Sequence, residues 1–137
     1  MRPTLVATVS KRIGLIVGIT GATVAAFGLY GFFRPELIGQ PEGFLLAAAA
    51  PAPELRAYYG DFELGFGLFL LLAAYRPKLC EAGALAAACT LGVIALGRLN
   101  QMWQGGFINS ILLLSCAAEI CFAAANFWAY RAARRSA

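Results

Sequence analysis

Four ionisable side chains interrupt the otherwise apolar stretches of this chain: Asp61, Glu63, Arg98 and Glu119, with Glu81 nearer an edge. A carboxylate in such surroundings can hold or pass a proton, or receive a cationic or hydrogen-bond-donating group. A guanidinium beside it can neutralise that charge or stabilise negative charge that develops nearby. Such groups are expensive in lipid and generally face a bundle interior or a polar cavity, so they mark where function is to be sought. Glu63 precedes Arg76 by thirteen residues, about 20 Å of helix, and Arg98 follows Lys78 by twenty, about 30 Å. A long arginine can bend back towards Glu63 or Asp61, so an Arg98–Glu63 ion pair between neighbouring crossings is the geometry these spacings suggest.

Further polar groups accompany them. Arg56, Tyr59, Glu63 and Gly67 recur at steps of three and four and would form one helix face, with Asp61 on a different face nearer water. Ser115, Glu119, Asn126 and Tyr130 share another stripe, and Glu119 is the deepest carboxylate. Asn100, Gln101 and Gln104 lie just beyond Arg98. They would either add hydrogen-bonding groups at the mouth of a pocket or end a helix among the headgroups. The candidate polar centre is therefore Arg56, Tyr59, Asp61, Glu63, Arg98, Gln101 and Glu119.

The elements that must hold these groups are four apolar stretches, 13–33, 58–75, 82–97 and 105–130. Each is close to the roughly 20 residues needed to cross a 30 Å hydrocarbon core as a helix. The chain of 137 residues is 61% hydrophobic and only 13% charged, with a mean hydropathy of +0.72. A soluble domain carries about 25% charged residues and could not bury this much apolar surface in one core. The expected fold is an all-α, polytopic membrane protein, an antiparallel bundle of four transmembrane helices at about 12–33, 56–75, 79–100 and 106–131. It forms a single domain over residues 1–137.

Local signals bound these helices. Arg34-Pro35 ends the first, because proline disfavours helix at the residue before it. Pro77 suits an early position of the third, and Gly105-Gly106 breaks the chain before the fourth. Between the first two crossings, 43–50 is apolar but too short to span, which suggests an interfacial half-helix. Gly14, Gly18, Gly21, Ala25 and Gly28 make one smooth face of the first helix. Gly83, Ala87, Ala88, Gly92 and Ala95 do the same in the third. Lipid gives little hydrophobic drive for helices to associate, so such faces suit close packing or an oligomer contact.

The net charge of +4 is gathered in short basic clusters at the helix ends. Arg2, Lys11 and Arg12, then Arg76 and Lys78, and then Arg131, Arg134 and Arg135 fall on one side of a four-crossing chain. The positive-inside rule makes that side cytoplasmic, with both termini there and the protein in the cell inner membrane. This arrangement belongs to membrane topology and not to nucleic-acid binding. The first apolar stretch exceeds a signal-peptide core and no clear cleavage site follows it, so it is expected to be a retained helix. No histidine is present, which removes a His-ligated haem, a Ser-His-Asp triad and most zinc sites. The four cysteines, Cys80, Cys89, Cys116 and Cys121, form no CxxC pair and suit reduced, small apolar side chains. No cofactor and no metal are expected.

Two blocks carry a resemblance. Arg56-Ala-Tyr-Tyr-Gly-Asp-Phe-Glu-Leu-Gly-Phe-Gly-Leu-Phe-Leu-Leu-Leu-Ala-Ala resembles the second helix of a family of short bacterial four-helix membrane proteins described only as a domain of unknown function. Gly97-Arg98-Leu-Asn-Gln followed by Gly105-Gly106 resembles the end of that family's third helix, and Glu119 falls where a helix-four glutamate is expected. The likeness covers about residues 34–126. Members often carry glycine in place of Asp61 and an aspartate nearer the Gly105-Gly106 turn. The resemblance implies that Arg56, Tyr59, Glu63, Arg98 and Glu119 act as a group, and it implies no activity. The function expected from these residues is a membrane-embedded protein that binds a membrane lipid or hydrophobic small molecule, or that serves as an accessory or scaffold in a larger membrane complex or homo-oligomer. A membrane enzyme on a hydrophobic substrate, of isomerase or epoxide-opening type, and a small proton-coupled transporter are the alternatives.

Overall fold

The computed structural model describes residues 3–38, 52–105 and 108–136. Every element among them is helical. α1 runs over Pro3–Phe33 and is followed by the short α2, Pro35–Ile38. α3, Ala52–Arg56, continues without a break through a π-helical segment, Ala57–Phe62, into α4, Glu63–Tyr75. α5 spans Pro77–Trp103 and α6 spans Ser110–Ser136. Four stretches, Lys11–Phe33, Pro53–Tyr75, Pro77–Trp103 and Ser110–Arg135, are long and apolar enough to cross a bilayer. The chain is a multi-pass membrane protein of four such helices. The expected half-helix at 43–50 lies outside the described residues.

The corners follow from local chemistry. Arg34 leaves the helix just before Pro35, with its N–H donating to the Tyr30 carbonyl at 2.9 Å. Arg76 is extended, φ −106 and ψ 104, because Pro77 excludes the helical conformation before it. Pro77 then opens α5, where its missing N–H costs nothing. Gly105 takes φ +80, a left-handed value that glycine adopts without strain. The expected start of the fourth helix at 106 moves to Ser110, because Asn109 caps it. The Leu112 N–H donates to Asn109 Oδ1 at 2.7 Å, satisfying one of the free donors of the first turn. The ends at Phe33 and Tyr75 fall where they were expected, and at the remaining boundaries the helices are longer than hydropathy alone suggests. α1 starts at Pro3, α5 at Pro77, and the second membrane helix at Ala52.

α1 and α4 pack along a seam of glycines. A Cβ on Gly28 would collide with the backbone nitrogen of Leu64, and one on Gly67 with the backbone of Ala25. Gly21 faces Leu70, and Gly60 faces Phe32. The partners run in opposite order along the two helices, so they pass one another head to tail. With no side chain at these positions the backbones approach closely enough for dispersion contacts along the seam. α5 and α6 form the second close pair, tied by Arg98 to Glu119 and by Gly92 facing Ala123.

The two pairs are joined by a buried apolar cluster: Ile13, Val17, Leu70, Ala73, Cys80, Ala84, Ala87 and Ala129. All eight lie in the helix halves nearest Arg76. Gly83 fits against Ala73 there, where a Cβ would stand 2.6 Å from the Ala73 methyl. The outward surface is apolar, with Leu15, Val93, Leu96 and Leu114 strongly exposed, as a lipid-facing surface requires.

Candidate functional site

At the end of the bundle remote from Arg76, three of the predicted residues come together. Arg98 on α5 and Glu119 on α6 form an ion pair, with the guanidinium Nε donating to Oε1 at 3.0 Å and to Oε2 at 3.1 Å. Both side chains are largely shielded, at 24% and 14% exposure. Glu63, half-buried at the start of α4, lies within electrostatic range of both partners. The suggested Arg98–Glu63 ion pair is therefore replaced by Arg98–Glu119. The reason is the α5–α6 hairpin. Its two helices pack side by side, with Arg98 opposite Glu119, Ala95 opposite Cys116 and Gly92 opposite Ala123. Among the described residues no hydrogen bond or ion pair holds the Glu63 carboxylate, so two carboxylates share one guanidinium and Glu63 is the one left without a direct bond.

Arg56 and Asp61 form a separate pair, with Arg56 Nε 3.8 Å from Asp61 Oδ1 and both side chains well exposed. They were expected on different helix faces. The π-helical segment brings them together, because its i→i+5 hydrogen bonding widens the turn until residues five apart align. The same widening breaks the Arg56–Tyr59–Glu63 stripe expected of a regular α-helix. The Arg56 guanidinium also lies over the Phe32 ring, 3.9 Å from its centroid, a cation–π contact that fixes it to α1. The Tyr59 side chain is exposed, while its carbonyl lies against Gly31. Gln101 is exposed near the end of α5. Arg56, Asp61, Tyr59 and Gln101 thus surround this end of the bundle without joining the Glu63–Arg98–Glu119 cluster in any bond among the described residues.

A second polar contact was only half visible in the sequence. Asn126 and Thr20 are both fully buried. Asn126 Nδ2 donates to Thr20 Oγ1 at 2.7 Å and to the Phe122 carbonyl at 2.9 Å, and Thr20 Oγ1 donates to the Ile16 carbonyl at 2.9 Å. Asn126 belongs to the predicted helix-four stripe, but Thr20 was not singled out. Its signal was a lone hydroxyl residue in the glycine-rich face of α1. The pair ties α1 to α6 below the charged cluster. At the Arg76 end, Arg134 reaches Glu81 at 3.9 Å and the Tyr130 hydroxyl at 3.3 Å, all near the surface. The four cysteines are unpaired, with Cys80 and Cys116 buried. Among the described residues no three cysteine or carboxylate side chains converge as a metal site would need.

What the cluster can do follows from its charges. Arg98 and Glu119 pair with one another, and Glu63 brings a second carboxyl group whose charged form is poorly solvated inside the membrane helices. Such a carboxylate favours a hydrogen-bond donor, a cation or a proton.

Neither a curated protein nor a solved structure matches the chain. One family does match, over residues 13–130, a range that takes in most of each of the four membrane helices and the whole charged cluster. The chain belongs to the family described as a domain of unknown function, DUF4345.

Proposed function

We propose that this protein is a membrane-embedded binding protein for an amphipathic, lipid-like molecule whose polar head is received between the two helix pairs, at Glu63, Arg98 and Glu119. The observation that carries this is the half-buried Glu63 carboxylate, held by no hydrogen bond among the described residues, beside the shielded Arg98–Glu119 pair. Packing supports it. The apolar cluster that joins the two pairs is confined to the halves nearest Arg76. At the other end the π-helical segment packs against α1 and its own flanking turns, not extensively against α5 or α6 among the described residues. A ligand entering there would meet apolar helix faces along its tail and charge at its head, the usual composition of a small-molecule site.

The protein acts in the inner membrane with both termini in the cytoplasm. The support is the placement of Lys11, Arg12, Arg76, Lys78, Arg131 and Arg135 at one end of the four helices. The polar cluster then opens towards the outer leaflet. The same architecture suits an accessory subunit that presents its bound molecule to a larger membrane complex or to a second copy.

Gentle extraction of the membrane-embedded protein, followed by native mass spectrometry and solvent extraction, tests the binding role. A lipid-like molecule should accompany the wild-type chain in stoichiometric amount and be lost from Glu63→Ala and Arg98→Ala. Wild-type protein that carries none, in several extraction lipids, would overturn the proposal. Reporter fusions at each terminus and after Gln104 test the orientation.

A further inference from the structure

Independently of the role proposed for the charged cluster, we infer that the opposite, basic end of the bundle is a docking surface for anionic phospholipids, whose headgroup phosphates supply there the negative charge that the protein itself lacks. The buried apolar cluster sets the geometry. Ile13, Ala73, Cys80 and Ala129 belong to it and come from all four membrane helices. Each has a cation close by in the chain: Arg12 before Ile13, Arg76 after Ala73, Lys78 before Cys80 and Arg131 after Ala129. Burial of the first set therefore gathers the second at one rim. Lys11, Arg134 and Arg135 stand beside them, and all of these cations are exposed. Among the described residues one carboxylate faces them, Glu81, 3.9 Å from Arg134. Lys11, Arg12, Arg76, Lys78, Arg131 and Arg135 hold no acidic partner among the described residues. The other end is built differently, with Arg56 paired to Asp61 and Arg98 to Glu119.

Depth favours a lipid headgroup as the missing partner. Tyr75, 87% exposed, directly precedes Arg76, and Trp128, 52% exposed, stands one helical turn before Arg131. Exposed tyrosine and tryptophan collect at the level of the headgroups. A rise of about 1.5 Å per residue carries Arg131 and Arg135 roughly 5 and 10 Å past Trp128 along the axis, into the layer where phosphates lie. A guanidinium there can bond two phosphate oxygens at once. Each cation beside an anionic leaflet strengthens association by about fivefold. Like charges gathered on one rim also repel less when phosphates stand between them. A phospholipid, unlike a soluble anion, further lays its chains against the exposed apolar side chains at this end, Leu72, Leu79 and Phe127.

Electron spin resonance of chain-labelled lipids tests this with the full-length protein in phosphatidylcholine vesicles. The signal of lipid slowed by the protein measures association, for labelled phosphatidylglycerol against labelled phosphatidylcholine. At about 10 mM salt, where charges act over about 30 Å, phosphatidylglycerol should associate at least threefold more strongly. In about 1 M salt the two should become nearly equal. Arg12→Gln, Arg76→Gln, Arg131→Gln and Arg135→Gln together should abolish the low-salt preference, and Arg34→Gln, at the opposite end, should keep it. Should the four-site variant fail to fold, Arg131→Gln with Arg135→Gln leaves the other cations in place and should at least halve the preference. Equal association of the two lipids with wild type at low salt would overturn the proposal and leave the cations to water and salt. A preference that survives both rim variants, or that Arg34→Gln removes, would overturn it too. Inorganic phosphate, exchanged for chloride at equal ionic strength, should leave the preference unchanged, and its loss there would give the rim to a soluble anion instead.

Discussion

Replacing Gly28 with alanine tests the seam that positions Glu63. The new Cβ would stand 2.7 Å from the Glu63 carbonyl carbon and from Leu64 Cα, and closer still to the Leu64 nitrogen. Carbon atoms in good contact are about 3.5–4.0 Å apart, so α1 and α4 must separate by about 1 Å at this level. A gap of that size forfeits roughly a quarter to a half of each neighbouring dispersion contact. Overpacking of this kind costs about 1–3 kcal/mol. Gly65 is the matched control, two residues past Glu63 in α4, where an added Cβ would meet nothing within 4 Å. There the alanine gains helix propensity of about 0.5–1 kcal/mol. Both alanines gain that propensity, so the two variants should differ by about 1–3 kcal/mol, the overpacking alone, with Gly28→Ala the less stable. The assay is unfolding of the purified protein in dodecylmaltoside by added dodecyl sulfate, followed by helical circular dichroism. If Gly28→Ala proves as stable as Gly65→Ala, the helices do not meet backbone to backbone and the seam is refuted.

Glu119→Leu should destabilise the folded state by about 1.5–3 kcal/mol, because it removes the carboxylate that Arg98 Nε bonds at 3.0 Å, whereas Arg98→Met with Glu119→Leu together should cost much less than the sum of the single changes. A double-mutant cycle in the same unfolding assay measures the coupling, and additive effects would dissolve the pair. Thr20→Val removes one of the two acceptors of Asn126 Nδ2 and should cost about 0.5–1.5 kcal/mol, the range of hydrogen bonds between membrane helices; no measurable loss would show that Asn126 holds α1 in another way. Trp103 is 90% exposed at the end of α5. In wild type and in a Trp128→Phe variant its fluorescence should be quenched more by lipids labelled near the headgroup than by lipids labelled at the chain end, and the reverse order would place that helix end in the hydrocarbon.

Much of this architecture was legible in the residues, for identifiable reasons. Crossing a bilayer demands length and apolarity together, which left few ways to divide the chain into helices. The smooth face of α1 was legible because lipid offers few other ways to hold two helices together, and Gly21 and Gly28 do pack against α4. The partner of Arg98 was not legible from depth alone. Counting along straight helices gives height and not azimuth, so height alone pointed Arg98 to Glu63 or Asp61 and passed over Glu119. The turn did not mark the pair either: Arg98 lies seven residues before Gly105 and Glu119 fourteen after it, so symmetry about that glycine does not join them. The Arg56–Asp61 contact likewise had no signal. It depends on a π-helical stretch, Ala57–Phe62, that a search for a 3.6-residue period passes over. That local change of pitch left Glu63 out of the stripe in which it was expected, and left Asp61 unavailable to Arg98. The boundary at Ser110 was missed because Gly105-Gly106 is a loud breaker, while the Asn109 cap is a single residue.

The glycine seam also constrains how the molecule can change shape. Where two main chains touch with no side chain between them, there is no rotamer to turn and nothing soft to compress. α1 and α4 must therefore travel as one plate. The α5–α6 hairpin makes a second plate, and between α4 and α5 the chain passes through one extended residue, Arg76, stiffened by the proline after it. Any motion that widens the charged end would swing the plates about that corner like the covers of a book, spreading furthest at Glu63 and least beside Cys80.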